Sequence, residues 1–145
     1  MKETIAPIGK ELLKKELNKK QFIRTTRKGG NEIYSLDFHS SPNVLKEIGR
    51  LREITFRASG GGTGKELDLD HYDTDDICYQ QLIVWSPEDE EIIGGYRYIK
   101  CANAIQNLPD IQLSTKHYFS FTSDFISDYL PYTIELGRSW VQPDY

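Results

Sequence analysis

Two oppositely charged residues stand three positions apart in an apolar stretch near the end of the sequence. Residues 133–141 read TIELGRSWV, and a run of this kind is typical of a strand. The carboxylate of Glu135 could take up a proton, and the guanidinium of Arg138 could bind an anion. The pair therefore indicates either a reaction site or an ion pair built into a sheet.

The spacing of Glu135 and Arg138 decides whether they can act together. Side chains three positions apart in a regular strand point to opposite faces of the sheet. A β-bulge at Gly137 would change this parity and let both line one cleft. Without the bulge the two side chains serve different faces, and the sequence leaves both arrangements open.

An acidic stretch lies in the middle of the sequence, with Asp68, Asp70 and Asp73 as its central carboxylates. An EF-hand would need a ligand at position 72 and a glycine at 73, where the chain has Tyr72 and Asp73. No metal site is therefore predicted. The stretch is either a solvated loop or a site that recognises an amine.

A second arginine, Arg97, lies in an apolar run beside Gly94 and Gly95. Alternation with a period of two places it on one face with Ile93, Gly95 and Ile99. A buried arginine requires an anionic partner. We therefore expect Arg97 to form a salt bridge with one of the acids.

The elements that must position these residues follow from periodicity and from capping residues. In the first part of the chain we predict a helix over 8–17 and strands over 21–27 and 32–39 joined at 28–31. A helix that Ser41 caps and Pro42 opens follows, and then an acidic loop and strands over 78–85 and 91–101. The last elements are a short helix capped by Thr122 or Ser123 and ended by Pro131, and a strand over 132–141. The aromatic residues at 119–130 are expected in the core. The fold class is α/β (α+β), a mostly antiparallel sheet flanked by helices.

The glycine-rich segment at 59–65 reads SGGGTGK and suggests a phosphate-binding loop. That pattern requires glycine at position 59 and serine or threonine at 66. The chain has Ser59 and Glu66 there, and a predicted helix, not a strand, precedes the segment. We interpret it as a loop without a nucleotide.

Composition limits the class of protein. The 145 residues carry a net charge of −4, which is unfavourable for general nucleic-acid binding. Cys78 and Cys101 are far apart and are expected as free thiols of a reducing cytoplasm. The lysines of residues 10–20 could contact an anionic membrane surface or could simply be solvated. With no predicted spanning segment, the expectation is a cytoplasmic protein that could associate with a membrane.

Several motifs occur in one order along the chain. They are Leu51-Arg52-x-x-x-Phe56, Asp68-x-Asp70-x-x-Asp73, Gly94-Gly95-Tyr96-Arg97 and Glu135-Leu136-Gly137-Arg138-Ser139-x-Val141-x-Pro143-x-Tyr145. In this order they resemble the GNAT-fold acyltransferases that use acyl carrier protein thioesters. The similarity is greatest to N-acyltransferases of N-acyl amino acid and ornithine lipid synthesis, in a bacterial branch that carries the label hemolysin. It covers about residues 33–145, and acyl-homoserine-lactone synthases are similar more distantly.

The resemblance implies transfer of a fatty acyl group from acyl carrier protein, or from coenzyme A, to the amine of an amino acid, without a tightly bound cofactor. Glu135 is then the expected base. Gly137, Trp140 and Val141 belong to the donor strand, where a backbone N–H near residues 140–142 would polarise the thioester carbonyl. The substrate-binding electrostatic cluster would comprise Arg52, Phe56, Asp68, Asp70, Asp73, Arg97 and Arg138.

In GNAT enzymes a donor-binding loop and a helix follow this strand, whereas the sequence ends at Tyr145. We therefore expect an N-terminal helix and hairpin over 1–40 and a partial GNAT-like domain over 41–145 that lacks its C-terminal half and is inactive alone. Its open sheet edge could pair with a second copy. The alternatives are a homoserine-lactone-type synthase, which would need S-adenosylmethionine, and a non-catalytic module that binds acyl carrier protein through Arg50, Arg52 and Arg57.

Overall fold

Five antiparallel strands form a single sheet whose spatial order is the order of the chain, from β1 to β5. A computed structural model describes residues 1–145. The strands are β1 (Phe22–Thr25), β2 (Glu32–Leu36), β3 (Gln80–Ser86), β4 (Glu91–Lys100) and β5 (Ile134–Val141). The helices are α1 (Lys10–Glu16), α2 (Pro42–Ala58), α3 (His71–Thr74), α4 (Cys101–Ala104) and α5 (Ser123–Asp128), with 3-10 turns at Ser114–His117 and Leu130–Tyr132. The predicted fold class is confirmed.

The first hairpin is part of the same sheet as the rest of the chain, because β2 pairs with β3 along its full length. Its turn is the predicted one: Gly29 and Gly30 have φ angles of 83° and 65°, which glycine adopts without steric cost. The strands are shorter than predicted, and β2 ends at Leu36. The predicted acidic loop contains the short helix α3.

Helix α2 packs its apolar side on the sheet, and its buried face includes Val44, Leu45 and Ile48. Pro42 opens it as predicted, but the Ser41 side chain does not cap it. The cap is the carboxylate of Glu16, which accepts the Asn43 and Val44 N–H groups at 3.2 and 2.9 Å. A carboxylate at a helix N-terminus satisfies free N–H groups and complements the helix dipole. This contact fixes α1 against α2.

Strand β4 contains an irregularity that changes which residues share its buried face. Val84 pairs with Gly94 while Trp85 pairs with Ile92, so β4 carries one extra residue at Ile93. The prediction that Ile93 shares a face with Arg97 is therefore wrong. Ile92 is the buried residue, because a bulge reverses the alternation on either side of it.

A second bulge lies in β5, where the sequence predicted one. Gly95 pairs with Trp140 and Arg97 with Gly137, so two steps along β4 match three along β5. The residue in the left-handed region is Arg138, with φ of 50°, one position after the predicted Gly137. The bulge is confirmed, and its strained residue is a charged one.

The aromatic segment before β5 is divided between the core and the surface, so the prediction is confirmed in part. Leu130 belongs to a second buried core cluster, and Phe121, Phe125 and Ile126 pack partly against that cluster. Phe119 and Tyr129 are exposed. The rings of Phe121, Phe125 and Tyr129 stack in series, at centroid distances of 5.6 and 5.9 Å.

The backbone of β3 approaches β4 so closely that Gly95 has no room for a side chain. A Cβ there would lie 2.3 Å from the Leu82 carbonyl oxygen and 3.1 Å from the Ile83 Cα. We predict that Gly95→Ala lowers the free energy of unfolding by about 2 kcal/mol, since overpacked sites must shift their backbone. Urea unfolding measures this. Gly9→Ala is the matched control, because a Cβ at Gly9 meets nothing within 4 Å, and an equal loss in both variants would contradict the prediction.

Candidate active site

Three arginines and three aspartates meet at one face of the sheet, and their formal charges cancel. The arginines come from α2, β4 and β5, and the aspartates lie within and just before α3. The members of this charge cluster are Arg52, Arg97, Arg138, Asp68, Asp70 and Asp73. The structure thus brings together all the charged residues that the sequence assigned to it.

Helix α2 and the acidic segment are joined by Arg52, whose side chain is fully buried. Its guanidinium lies 3.1 Å from Asp68 and donates two hydrogen bonds of 3.2 Å to Asp73. Gly49 on α2 accepts the Asp68 N–H at 3.0 Å. A Cβ on Gly49 would lie 2.8 Å from the Leu69 side chain, so this glycine lets the segment approach the helix.

Asp73 is the most heavily bonded member of the charge cluster. Besides Arg52 it contacts Arg97 at 3.1 Å, and it accepts the Gln81 amide at 2.9 Å and the Asp70 N–H at 3.1 Å. Burial alone would raise the pKa of Asp73, but the two guanidinium groups outweigh burial and hold that pKa below its ordinary value. Asp73 is therefore ionised and fixed.

Arg97 finds the anionic partners that the sequence required. Its Nη1 lies 2.7 Å from Asp70 and 3.1 Å from Asp73. The guanidinium also lies over the rings of Tyr79 and Tyr72, at 4.9 and 5.7 Å from their centroids. A cation over an aromatic face is stabilised by the ring quadrupole, so two tyrosines complete its surroundings.

Arg138 differs from the other two arginines. The β5 bulge directs it to the face of Arg97, where it contacts Asp68 at 3.3 Å and Asp70 at 3.5 Å. Both contacts are ion pairs without a hydrogen bond, and the side chain is 38% exposed. Arg138 thus keeps its N–H donors available.

A groove of about 380 Å³ opens beside Arg138. Its lining residues are Phe56, Ser59, Gly61, Gly62, Thr63, Asp68 and Arg138. Phe56 packs partly against the main core and forms the apolar wall. The predicted cluster residues Phe56, Asp68 and Arg138 thus share one concave surface with the glycine-rich loop.

The glycine-rich loop is held by a buried carboxylate of α2. Glu53 accepts the Thr63 and Gly64 N–H groups at 2.9 and 2.8 Å and the Thr63 hydroxyl at 2.7 Å. Arg57 donates to it at 2.7 Å. A phosphate-binding loop keeps such N–H groups for its ligand, whereas this loop uses them on Glu53. Sequence reasoning did not find Glu53, because its partners lie ten residues away.

Glu135 lies on the same face but outside the charge cluster. Its carboxylate accepts the hydroxyls of Ser114 at 2.6 Å, Thr115 at 2.5 Å and Tyr79. Burial alone would raise the pKa of Glu135, but these hydrogen bonds outweigh it and lower that pKa. Glu135 and Arg138 therefore share a face without touching. Tyr79 links Glu135 to the charge cluster, since its ring lies under Arg97 and its hydroxyl donates to Glu135.

Tyr79 and Gln81 were missed by the sequence reasoning, although a signal exists. They alternate with Ile83 and Trp85 on the buried face of β3 and its lead-in. Polar side chains at inward positions need partners, and here those partners are Glu135 and Asp73. Ser114 and Thr115 carry no such signal, because they lie in an irregular segment.

The end of β5 is an open edge of the sheet. Gln142 donates its N–H to Ile93 at 3.0 Å. Because N–H directions alternate along an antiparallel strand, the Val141 N–H points away from β4 to the open edge. Among the amides predicted to polarise a carbonyl, Gln142 is used within the sheet, and Val141 is directed outward. The Trp140 side chain belongs to the main core.

The proposed docking arginines of a carrier-protein module are already paired. Arg52 is fully buried, Arg50 lies 2.5 Å from Glu47, and Arg57 binds Glu53. These pairings remove the basis for a basic docking surface built from all three residues.

No group of three or more His, Cys, Asp or Glu is arranged to hold a metal ion, and no helix is long and apolar enough to cross a membrane.

Comparison with known proteins identifies the family. Residues 51–145 match the acetyltransferase (GNAT) domain, and the chain belongs to the GNAT family. It is 54% identical over 147 residues to a glycine N(alpha)-acyltransferase of Phocaeicola vulgatus, covering 100% of this chain and 45% of that protein. It is 52% identical over 146 residues to the glycine N(alpha)-acyltransferase of Bacteroides thetaiotaomicron, covering 100% of this chain and 43% of that protein.

The chain thus spans less than half the length of these curated relatives. No solved structure matches it significantly.

The hydrogen bonds to Glu53 make the glycine-rich loop sensitive to acid. Burial would raise the pKa of Glu53, but bonds from Thr63, Arg57 and Gly64 lower it to about 2. A depressed carboxyl pKa contributes stability that is complete above its ordinary value near 4.5 and is lost as the pH falls toward about 2. At 1.4 kcal/mol per unit this amounts to about 3 kcal/mol.

We predict that Glu53→Gln is less stable at neutral pH and loses less further stability between pH 4.5 and 2 than the wild type. Urea unfolding at a series of pH values measures both slopes. Glu88→Gln, at an exposed turn position, is the control and should follow the wild type. Parallel curves for Glu53→Gln and wild type would contradict the assignment.

Proposed function

We propose that the protein is an N-acyltransferase that moves a fatty acyl group from a thioester to the amine of glycine. The GNAT family and the names of the two relatives support the acyl transfer and the acceptor. The observation that carries the proposal is the β5 bulge, which places Arg138 with the charge cluster at a groove.

The reaction sets clear requirements for the site. The amine nitrogen attacks the thioester carbonyl carbon, a C–N bond forms, and the C–S bond breaks. An amino acid enters as an ammonium and gives up two protons, one of which ends on the departing sulfur. The site must therefore accept a proton and stabilise the negative charge that develops on the carbonyl oxygen.

The outward N–H of Val141 is our candidate for that stabilisation. It is a backbone donor fixed by the sheet, so it costs no reorganisation when charge develops. We place the thioester along the side of β5 that faces away from β4, where this N–H can donate to the carbonyl oxygen. The proposed donor is acyl carrier protein, with acyl-coenzyme A as the alternative thioester, and the product is an N-acyl amino acid of lipid synthesis.

Glu135 is our candidate for the proton acceptor. Its hydrogen bonds stabilise the charged form, so it is a weaker base than an ordinary carboxylate and remains ionised below neutral pH. Glu135 lies six residues before Val141, about 20 Å along a regular strand, so we place the transfer through bridging water and the hydroxyl of Thr115 or Ser114. Each hydroxyl donates to Glu135 and could accept a proton from that water while passing its own to the carboxylate.

The activity is tested by thiol release from acyl carrier protein and coenzyme A thioesters, with glycine and other amino acids as acceptors and the full-length protein as enzyme.

We predict that Arg97→Lys lowers kcat about 10- to 100-fold, because a displaced cluster misplaces the substrates. Arg24→Gln, on the exposed strand β1, is the matched control. Equal kcat values for the wild type, Arg97→Lys and Arg24→Gln would show that the charge cluster is not part of the active site. Lactone release from S-adenosylmethionine would favour the synthase alternative.

For Glu135→Gln we predict a fall in kcat of about 10²- to 10⁴-fold, the range for general base catalysis. The amide keeps an acceptor for the hydroxyl groups, so the fold should persist, and circular dichroism checks this. In the wild type, the acid limb of the kcat profile should reflect acceptor protonation, since Glu135 stays ionised there. An unchanged kcat in the variant would make Glu135 an anchor of the 3-10 turn instead of the base.

A further inference from the structure

The guanidinium of Arg138 lies in the site but donates no hydrogen bond to it. Arg52 and Arg97 donate hydrogen bonds to carboxylates, whereas Arg138 has only ion pairs of 3.3 and 3.5 Å. Charge-assisted hydrogen bonds of arginine are normally about 2.7–2.9 Å. The planar fork of Arg138 is thus free to bind an anion with two parallel hydrogen bonds.

The backbone at Arg138 is strained in order to present this side chain. Its φ of 50° lies in the left-handed region, which is unfavourable for a residue with a side chain. Glycine would avoid the cost, and Gly137 stands one position earlier with no need for its own freedom. A strained residue at a groove is the pattern expected where the side chain serves a ligand.

Beneath Arg138, one carboxylate oxygen has no donor. Asp68 is buried, and its Oδ2 faces both Arg52 and Arg138, but its Oδ1 accepts no hydrogen bond. A buried, charged acceptor without a donor is costly. Asp68 and Arg138 both line the groove, so an ammonium group that enters there between them could supply the donor that Oδ1 lacks.

The glycine-rich loop adds a donor to the same groove. The Gly62 N–H makes no hydrogen bond within the chain. A Cβ on Gly62 would lie 2.8 Å from the Arg57 side chain, and its φ is 90°, so only glycine fits there. Glu53 fixes the next two residues, and this holds Gly62 in place in the lining of the groove.

We propose that this groove binds the acceptor as the zwitterion of an α-amino acid. Arg138 and the Gly62 N–H bind its carboxylate, and its ammonium donates to Asp68 Oδ1. Since the charge cluster is neutral overall, a ligand with one positive and one negative group adds no net charge to it. The inference rests on the proposed function and deepens it, because it makes the free carboxylate the feature by which the acceptor is selected.

Glycine and glycinamide form the test pair, because they differ only in that carboxylate. Thiol release by the full-length protein should show a KM for glycine well below that for glycinamide. In Arg138→Gln the KM for glycine should rise about 10- to 100-fold, as for loss of a charged hydrogen-bond partner, and the preference should vanish. Arg138→Lys should restore part of it, and Arg24→Gln should keep it all. Thermal unfolding verifies that each variant is folded.

Calorimetric titration of each protein with glycine and glycinamide, without any thioester, separates the two proposals. Preferential binding of glycine that Arg138→Gln abolishes, without thiol release, would leave the acceptor site standing and overturn the transferase function. Thiol release with equal KM for both amines would do the reverse. An equal loss with both amines in Arg138→Gln would make Arg138 a structural residue and overturn the inference. Neither binding nor release would overturn both.

Discussion

The buried pairing of Arg52 and Arg97 with Asp73 is the interaction on which the site depends. Bringing these charges out of water is costly, and only close pairing with further hydrogen bonds offsets that cost. Asp73 receives five contacts from both arginines, Gln81 and Asp70. Loss of one partner would leave another buried and uncompensated. This constraint ties α2, α3, β3 and β4 to a single geometry.

The buried part of the charge cluster fixes the elements in place and leaves its more exposed part available for a ligand. Arg52 and Arg97 bind Asp73, so Asp68 and Asp70 can each still accept further hydrogen bonds. Arg138 faces these two carboxylates without donating a hydrogen bond to either. The cluster thus divides into a buried half that holds the elements together and an open half that borders the groove. Two residues belong to both halves, since Asp68 contacts Arg52 and Arg138, and Asp70 contacts Arg97 and Arg138.

The charge cluster and Glu135, which the proposed acyl transfer uses in different roles, are separated in space and joined by Tyr79. On one side lies the charge cluster with its groove, and on the other Glu135 with three hydroxyl donors. The Tyr79 ring supports Arg97, while its hydroxyl holds Glu135. A shift of β3 would therefore move both parts together, so their relative placement is preserved.

The sequence by itself predicted the fold class, through alternation, turn glycines and capping residues. The membership of the charge cluster came from the resemblance to GNAT acyltransferases, and the β5 bulge was one of two arrangements that the sequence left open until the pairing of β4 with β5 decided it. Even so, the extra residue in β4 moved the buried position from Ile93 to Ile92, since a bulge is set by the pairing of two strands and not by one.

Only the tertiary structure decided which charged side chains are paired within the fold and which remain free to bind a ligand. Glu16 caps α2 in place of Ser41, Glu53 holds the glycine-rich loop, and hydroxyls from two distant segments surround Glu135. Within residues 119–130, Leu130 is buried and Phe121 and Phe125 are partly buried, whereas Phe119 and Tyr129 are exposed. Each of these outcomes depends on contacts between residues far apart in the chain, which no local pattern records.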